Sequence, residues 1–162
     1  MITQALLKEF LHYDPLTGHF SWVKRSGRGQ SPIGSRAGWL SNTGYTVIEF
    51  KQKNYAAHRL AFLYMLGKFP PHEVDHQNGV KLDNRWENLR AATRAQNNQN
   101  RRTVSKRNPV GILGVFKTES GRFAASLSIN YKKVHIGIFS TPEEAHSAYV
   151  EAKRKLHEFN TL

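Results

Sequence analysis

The sequence predicts an α+β chain in three parts: a small N-terminal β-sheet region, a central strand–loop–strand–helix core, and a C-terminal three-stranded antiparallel sheet with one helix. Three observations carry this. Short alternating runs bounded by turn formers mark strands. Apolar residues at spacings of three and four mark only brief helices. A hydrophobic fraction of 39% in 162 residues favours small subdomains with limited cores over one large core.

Residues 1–57 open with Leu6, Leu7, Phe10 and Leu11 at helical spacing. In "YDPLTGHFSWVKRSGRG", Asp14-Pro15 and Thr17-Gly18 are turn formers, Phe20 to Val23 is strand-like, and a basic loop follows. "GWLSNTGYTVIEFKQKNYAAH" reads as a pair of antiparallel strands turning at Asn42-Thr43-Gly44. Residues 58–100 form the core. Leu60, Leu63, Tyr64 and Leu66 predict a helix that stops at Gly67, with Pro70-Pro71 beyond. A short strand over Glu73–His76, an Asn-rich loop and a second strand near Leu89–Ala92 follow. Thr93 then caps a helix carrying Arg94 to Asn100.

Residues 101–108, "RRTVSKRN", are a basic linker without apolar periodicity. In residues 109–162, "GILGVFKT", "GRFAASLSIN" and "KKVHIGIFS" alternate as an antiparallel meander, with turns at Glu119-Ser120-Gly121 and Asn130-Tyr131-Lys132. Thr141-Pro142-Glu143-Glu144 is a capping box with proline at the first helical position. The helix it opens is expected to carry Ala145, Ala148, Tyr149, Ala152, Leu156 and Phe159, and the alanines on that face let it lie close to the sheet.

Composition narrows the function. Cysteine is absent, which excludes disulfides, thiolate nucleophiles and a cysteine-ligated structural zinc. Any metal must sit on His, Asp, Glu, Asn or backbone oxygen, a donor set suited to Mg²⁺ or Mn²⁺. There is no run of about 18 apolar residues, so no membrane span is expected. Twenty-four Lys and Arg against twelve Asp and Glu give +12 and a pI near 10.2, the balance of a protein with a polyanionic partner. The cations are not evenly spread. Leu89 to Thr118 holds no acidic residue, while Arg90, Arg94, Arg101, Arg102, Lys106, Arg107 and Lys117 all fall there.

"EVDHQNGVKLDNRWENLRAATRAQNNQN", Glu73 to Asn100, is unlike the rest of the chain. Its amides are costly to bury unless organised around something. Phosphodiester hydrolysis needs a base for the attacking water and a cation for the charge that builds on phosphate and leaving oxygens. A neutral imidazole can be that base, and Mg²⁺ takes only one or two protein ligands beside water and phosphate. Asp75, His76 and a downstream Asn supply this set. Neighbouring strand residues face opposite ways, so Asp75 and His76 are expected at a frayed strand end. Spacing to Thr93 favours Asn97 as the amide, with Asn98 and Asn100 as competitors.

Val74-Asp75-His76, Asn78-Gly79, Asp83-Asn84-Arg85, Glu87-Asn88-Leu89-Arg90, Thr93-x-x-x-Asn97 and the upstream His58-Arg59-Leu60 together resemble the HNH (ββα-metal) endonucleases. The likeness is to the phage and homing branch, where Asn replaces the last His, and it covers roughly residues 55–100. The resemblance implies that Asp75 and Asn97 ligate one divalent ion per active site, Mg²⁺ or Mn²⁺. It implies that His76 is the general base and that Asn88 orients the loop and the base. Asn84 is expected to brace the loop, and His58 to be packed or structural or else a second site histidine.

Gly111-Ile112-x-Gly114-Val115, Arg122-Phe123-x-Ala125, His135-Ile136-Gly137-x-Phe139 and Thr141-x-Glu143-Glu144-Ala145 with Ala148-Tyr149 resemble an AP2-type DNA-binding domain. Phe123 stands where plant members carry Trp. The resemblance implies a sheet laid in the major groove with Lys117, Arg122, Lys132 and Lys133 at the DNA. Arg101, Arg102, Lys106 and Arg107 of the linker join them as backbone contacts, and Lys24, Arg25, Arg28 and Arg36 form another basic group. "YDPLTGHFSW" and "GYTVI" resemble segments that precede the core in many phage proteins, with no chemistry attached.

The expected function is a metal-dependent nuclease on double-stranded DNA, acting as a monomer or weak dimer and possessing a single site suited to nicking. Phage or mobile-element origin and a cytoplasmic place in a bacterial host, without secretion, are part of the expectation. The alternative classes are a non-catalytic regulatory DNA-binding protein and an RNA-directed nuclease.

Overall fold

The computed structural model describes residues 2–24 and 32–162 and shows an α+β chain of two compact units, Met1–Ala92 and Thr93–Leu162. Among the described residues no helix is long and apolar enough to cross a membrane.

In the first unit, α1 (Gln4–Phe10) leads directly into β1 (Leu11–Asp14), which pairs antiparallel with β2 (His19–Trp22). Leu11, expected on the helix, instead opens a strand absent from the sequence reading. A second sheet holds β3 (Trp39–Leu40), β4 (Thr46–Phe50) and β5 (Lys53–Ala56), three strands where the sequence suggested two. The unseen turn is Lys51-Gln52, with φ of 51° and 62° and no Gly or Asn to announce it. Then come α2 (Ala57–Leu66), β6 (Glu73–His76) and β7 (Leu89–Ala92), the last two pairing antiparallel. Gly67 ends α2 in the left-handed conformation, its N–H bonded to the Leu63 carbonyl.

One core serves this whole unit. Leu7, Phe10, Leu11, Tyr13, Phe20 and Trp22 cluster with Ile48, Phe50, Leu60, Leu63, Val74 and Leu89. The division of the chain at residue 57 expected from sequence therefore does not appear as a boundary between cores. Nor does the unit boundary fall at residue 100, because α3 (Arg94–Gln99) groups with the C-terminal part.

The second unit begins with the cap of α3. Thr93 and Gln96 form a complete capping box. Its sheet runs β10 (Lys132–Phe139), β9 (Phe123–Ile129), β8 (Val115–Lys117), all antiparallel, with a register shift between His135 and Gly137. Asn130 and Tyr131, both at positive φ, turn β9 into β10. On one face Val115, Ala125 and Leu127 pack with Ala145 and Tyr149 of α4 (Pro142–Leu156). Gly114 makes the close approach possible, since a Cβ there would sit 2.1 Å from the Tyr149 ring.

Lys153 of α4 is 1% exposed, donates to the Arg101 carbonyl at 2.7 Å and lies 5.7 Å from the Tyr149 ring centre. Burial first, then the nearby Arg102 charge, lowers its ammonium from 10.5 to about 8. The unfolded chain holds that proton up to its ordinary value, so between about 8 and 10.5 unfolding takes up a proton. Stability of this unit should therefore rise with pH through that window. Urea titrations at pH 7.5 and 9.5 should show a gain for the wild type that Lys153→Met lacks. Equal pH dependence in both chains would count against the assignment.

Candidate active site

The loop between β6 and β7 is held by its own amides. Asn88 Oδ1 accepts the Asn78 N–H at 2.9 Å, Asn88 Nδ2 donates to the Asp83 carbonyl at 2.7 Å, and the Gln77 N–H bonds the Asn88 carbonyl at 2.9 Å. Asn78 turns the chain over Gly79 by accepting the Val80 N–H at 2.9 Å, and its Nδ2 donates to Asp83 Oδ2 at 2.6 Å. Arg85 grips both oxygens of Asp83, at 2.8 and 2.7 Å, which holds that carboxyl near 2, well below its ordinary value. Most of the stretch's amides are thus spent on shape.

His76 ends β6, and Asp75 lies one residue inside the ladder opposite Arg90. The frayed end expected for both residues is reached only by His76. Pleat alternation turns them to opposite faces, and their surroundings differ accordingly. Asp75 is 4% exposed and accepts from Arg90 Nε and Nη2 at 2.8 and 2.7 Å, both on Oδ2. His76 is 5% exposed, with Nε2 3.2 Å from Asn84 Oδ1.

Two further rings surround His76. His58, at the start of α2, stands edge-on at 5.2 Å, and Tyr45 lies 5.9 Å away. Tyr45 and His58 are themselves 5.0 Å apart, with Lys81 Nζ 4.7 Å from the Tyr45 ring centre. Burial pushes the His58 imidazole down to about 3, and its buried Nδ1 has no hydrogen-bond partner among the described residues. Burial also lowers His76, against the opposing pull of Asn84 and Asp75. Both rings are neutral at ordinary pH. A neutral, buried imidazole one residue along the strand from a buried carboxylate can take a proton from water while the carboxylate serves a cation.

Among the described residues no group of three or more His, Cys, Asp or Glu side chains could hold a metal ion. The donor set expected from sequence is smaller, one carboxylate and one amide oxygen, and such hard oxygens fit Mg²⁺ or Mn²⁺ completed by water and phosphate. Asp75 offers the carboxylate; Asn97 lies on α3, in the other compact unit.

A family comparison now decides the class of the site. Residues 55–99 match the HNH endonuclease family. The HNH segment thus runs from β5 through α3 and takes in Asp75, His76, Asn84, Asn88 and Asn97. The match supports a DNA hydrolase, and HNH nucleases use a divalent metal. Comparison with curated proteins and with solved structures found no match.

The remaining sequence-predicted residues scatter around the two units. Lys24 is paired with Glu9 at 2.6 Å, and Arg36 is exposed beside the β2 bridge at Ser21. Arg25 and Arg28 lie outside the described residues. In the second unit, Arg101 and Lys133 line one cleft of about 510 Å³ together with Tyr131. Arg102 bonds to Thr161, and Lys106 and Arg107 are exposed. On the sheet, register sets Phe116, Ser128, Lys133 and His135 on the face away from α4, with Lys133 Nζ 4.7 Å from the Phe116 ring centre. Lys117 and Lys132 are exposed at strand ends whose pleat turns the other way, and Arg122 reaches the Ile138 carbonyl at 3.4 Å. Tyr45 is a site neighbour that the sequence did not single out, and Asn84, expected only to brace the loop, also touches the His76 ring. The signal was present in "GYTVI" and "LDNRW", but spacing alone cannot say which amide touches the imidazole.

Proposed function

We propose that this chain is a one-metal DNA endonuclease of the phage or homing type, cutting double-stranded DNA to leave 5′-phosphate and 3′-hydroxyl ends. The observation that carries the reading is the neutral, buried imidazole of His76 at the end of β6, one residue from the buried carboxylate of Asp75, inside the HNH segment. His76 takes the proton of the attacking water. Asp75 would offer its carboxylate to the ion, Mg²⁺ or Mn²⁺, which when bound stabilises charge on the scissile phosphate and the departing 3′ oxygen. Arg90 sets the orientation of Asp75, and Asn88 keeps the loop shaped around the base.

The AP2-like second unit supplies DNA affinity. Its open sheet face presents Lys133 over Phe116, a cation and an aromatic ring of the kind that contact backbone and base. Arg101, Arg102, Lys106 and Arg107 extend the basic surface along the chain. A single site on a monomer produces a nick.

Supercoiled plasmid incubated with the protein and Mg²⁺ or Mn²⁺ should relax to open circles, and chelator should stop the reaction. Linear product would replace the monomer by a dimer. Tight binding of plasmid without cutting under either metal would overturn the nuclease reading in favour of a regulatory DNA-binding protein.

A further inference from the structure

The segment "YDPLTG" has so far had no task. It forms the end of β1 and the turn into β2, and it lies against the active-site loop at three points. The Tyr13 hydroxyl donates to the Asn84 carbonyl at 2.7 Å. The Trp86 N–H donates to the Pro15 carbonyl at 2.9 Å. Gly18 is so close that a Cβ would stand 2.3 Å from the Asn84 carbonyl carbon and 2.4 Å from the Arg85 nitrogen.

The hairpin is itself rigidly made. Tyr13 is 1% exposed, with Phe20 and Tyr64 rings at 4.8 and 5.7 Å. Asp14 closes the turn by accepting the Leu16 N–H at 2.9 Å and the Thr17 hydroxyl at 2.8 Å, while its carbonyl accepts the Gly18 N–H at 2.8 Å.

Asn84, 2% exposed, is where hairpin and site meet. Its Nδ2 donates to the Leu82 carbonyl at 3.3 Å, a group that can only accept. That contact turns Oδ1 toward His76 Nε2, 3.2 Å away. An amide oxygen has no hydrogen to give, so Nε2 must carry the proton and Nδ1 becomes the basic nitrogen of the neutral ring.

We propose that the β1–β2 hairpin is part of the catalytic apparatus: Tyr13, Pro15 and Gly18 hold Asn84 in place, and Asn84 is a positioning residue that fixes His76 in the tautomer protonated on Nε2. The proposal rests on the nuclease reading for its consequence in turnover, and on geometry alone for the tautomer.

Two measurements on the full-length chain test it separately. Long-range ¹H–¹⁵N spectra of the metal-free protein report the tautomer of the His76 ring, assigned by the loss of its signals in His76→Gln. The wild type should show one tautomer, protonated on Nε2. Asn84→Ala should show a mixture, and Asn84→Asp, which keeps an acceptor oxygen in place, should return the single tautomer. Plasmid kinetics should show kcat falling about 10- to 100-fold in Asn84→Ala, as for other residues that orient an active-site imidazole, with KM unchanged and Asn84→Asp recovering part of the loss. Tyr13→Phe keeps the packed ring while removing the anchor on Asn84. It should move both readouts the same way by less, which guards against an Asn84→Ala chain that fails to fold. A single Nε2-protonated tautomer in both Asn84→Ala and Tyr13→Phe would overturn the proposal, as would a loss confined to KM. A wild-type chain that cuts no DNA while the tautomer follows Asn84 would defeat the nuclease reading and uphold the positioning one.

Discussion

Replacing His76 with Ala should end DNA cutting and leave DNA binding at its wild-type level. A positioned general base contributes about 10²- to 10⁴-fold to a hydrolysis, so plasmid nicking should fall by at least that margin. Binding, followed by fluorescence anisotropy on a labelled duplex with Ca²⁺ in place of Mg²⁺, should not change, because the basic residues assigned to DNA lie elsewhere in the chain. His76 is 5% exposed, and Ala would leave both a void and an unpaired Asn84 oxygen. His76→Gln meets that objection: its amide fills more of the space and can donate to Asn84, yet it has no basic nitrogen. Both variants should be inactive. Cutting by either at the wild-type rate would remove His76 from its role.

Gly18→Ala should carry the largest stability loss of any single methyl added in the first unit's N-terminal half. Residue 18 sits at a φ of +73°, where a non-glycine residue costs about 1–3 kcal/mol. A collision adds to this. The atoms in the way are the backbone of Asn84 and Arg85, not the end of a flexible side chain, so relief requires the active-site loop to move. Gly34 provides the control. Its φ is +84°, and a Cβ there meets nothing within 4 Å. The difference between Gly18→Ala and Gly34→Ala in urea unfolding isolates the collision from the backbone strain. Turnover should fall in the first and hold in the second. Equal stability of the two variants would show that the hairpin and the loop are not in firm contact.

Local structure was legible wherever a residue type forces a conformation. Thr141-Pro142-Glu143-Glu144 announces α4, and Thr93 with Gln96 caps α3, because few residues satisfy orphan N–H groups at a helix start. Gly67 ends α2 for a similar reason, since it is free to take a positive φ. The misses have the opposite cause. Lys51-Gln52 turns β4 into β5 with two left-handed residues that carry no sign of it, and "LHYD" is too short to show its alternation after a helical run. At the site, Asp75 and His76 stood out by type and order. What touches them did not. Arg90 reaches Asp75 across a ladder, Asn84 reaches His76 through a loop, and His58 and Tyr45 arrive from α2 and from the bend before β4. Such neighbours are set by register and packing, which one sequence read alone does not display.

The Tyr13–Asn84 bond joins residues 71 apart, and Val74 and Leu89 of the matched segment belong to the same core as Leu7, Phe10 and Leu11. The stretch that bears the family signature is therefore not the stretch that can exist by itself. Recombination that carried only residues 55–99 into a new gene would transfer the lettering of a nuclease without the N-terminal side chains that share its core and with its base unsupported. The portable piece on the N-terminal side has to begin where α1 begins, and heredity here is constrained by packing rather than by motif.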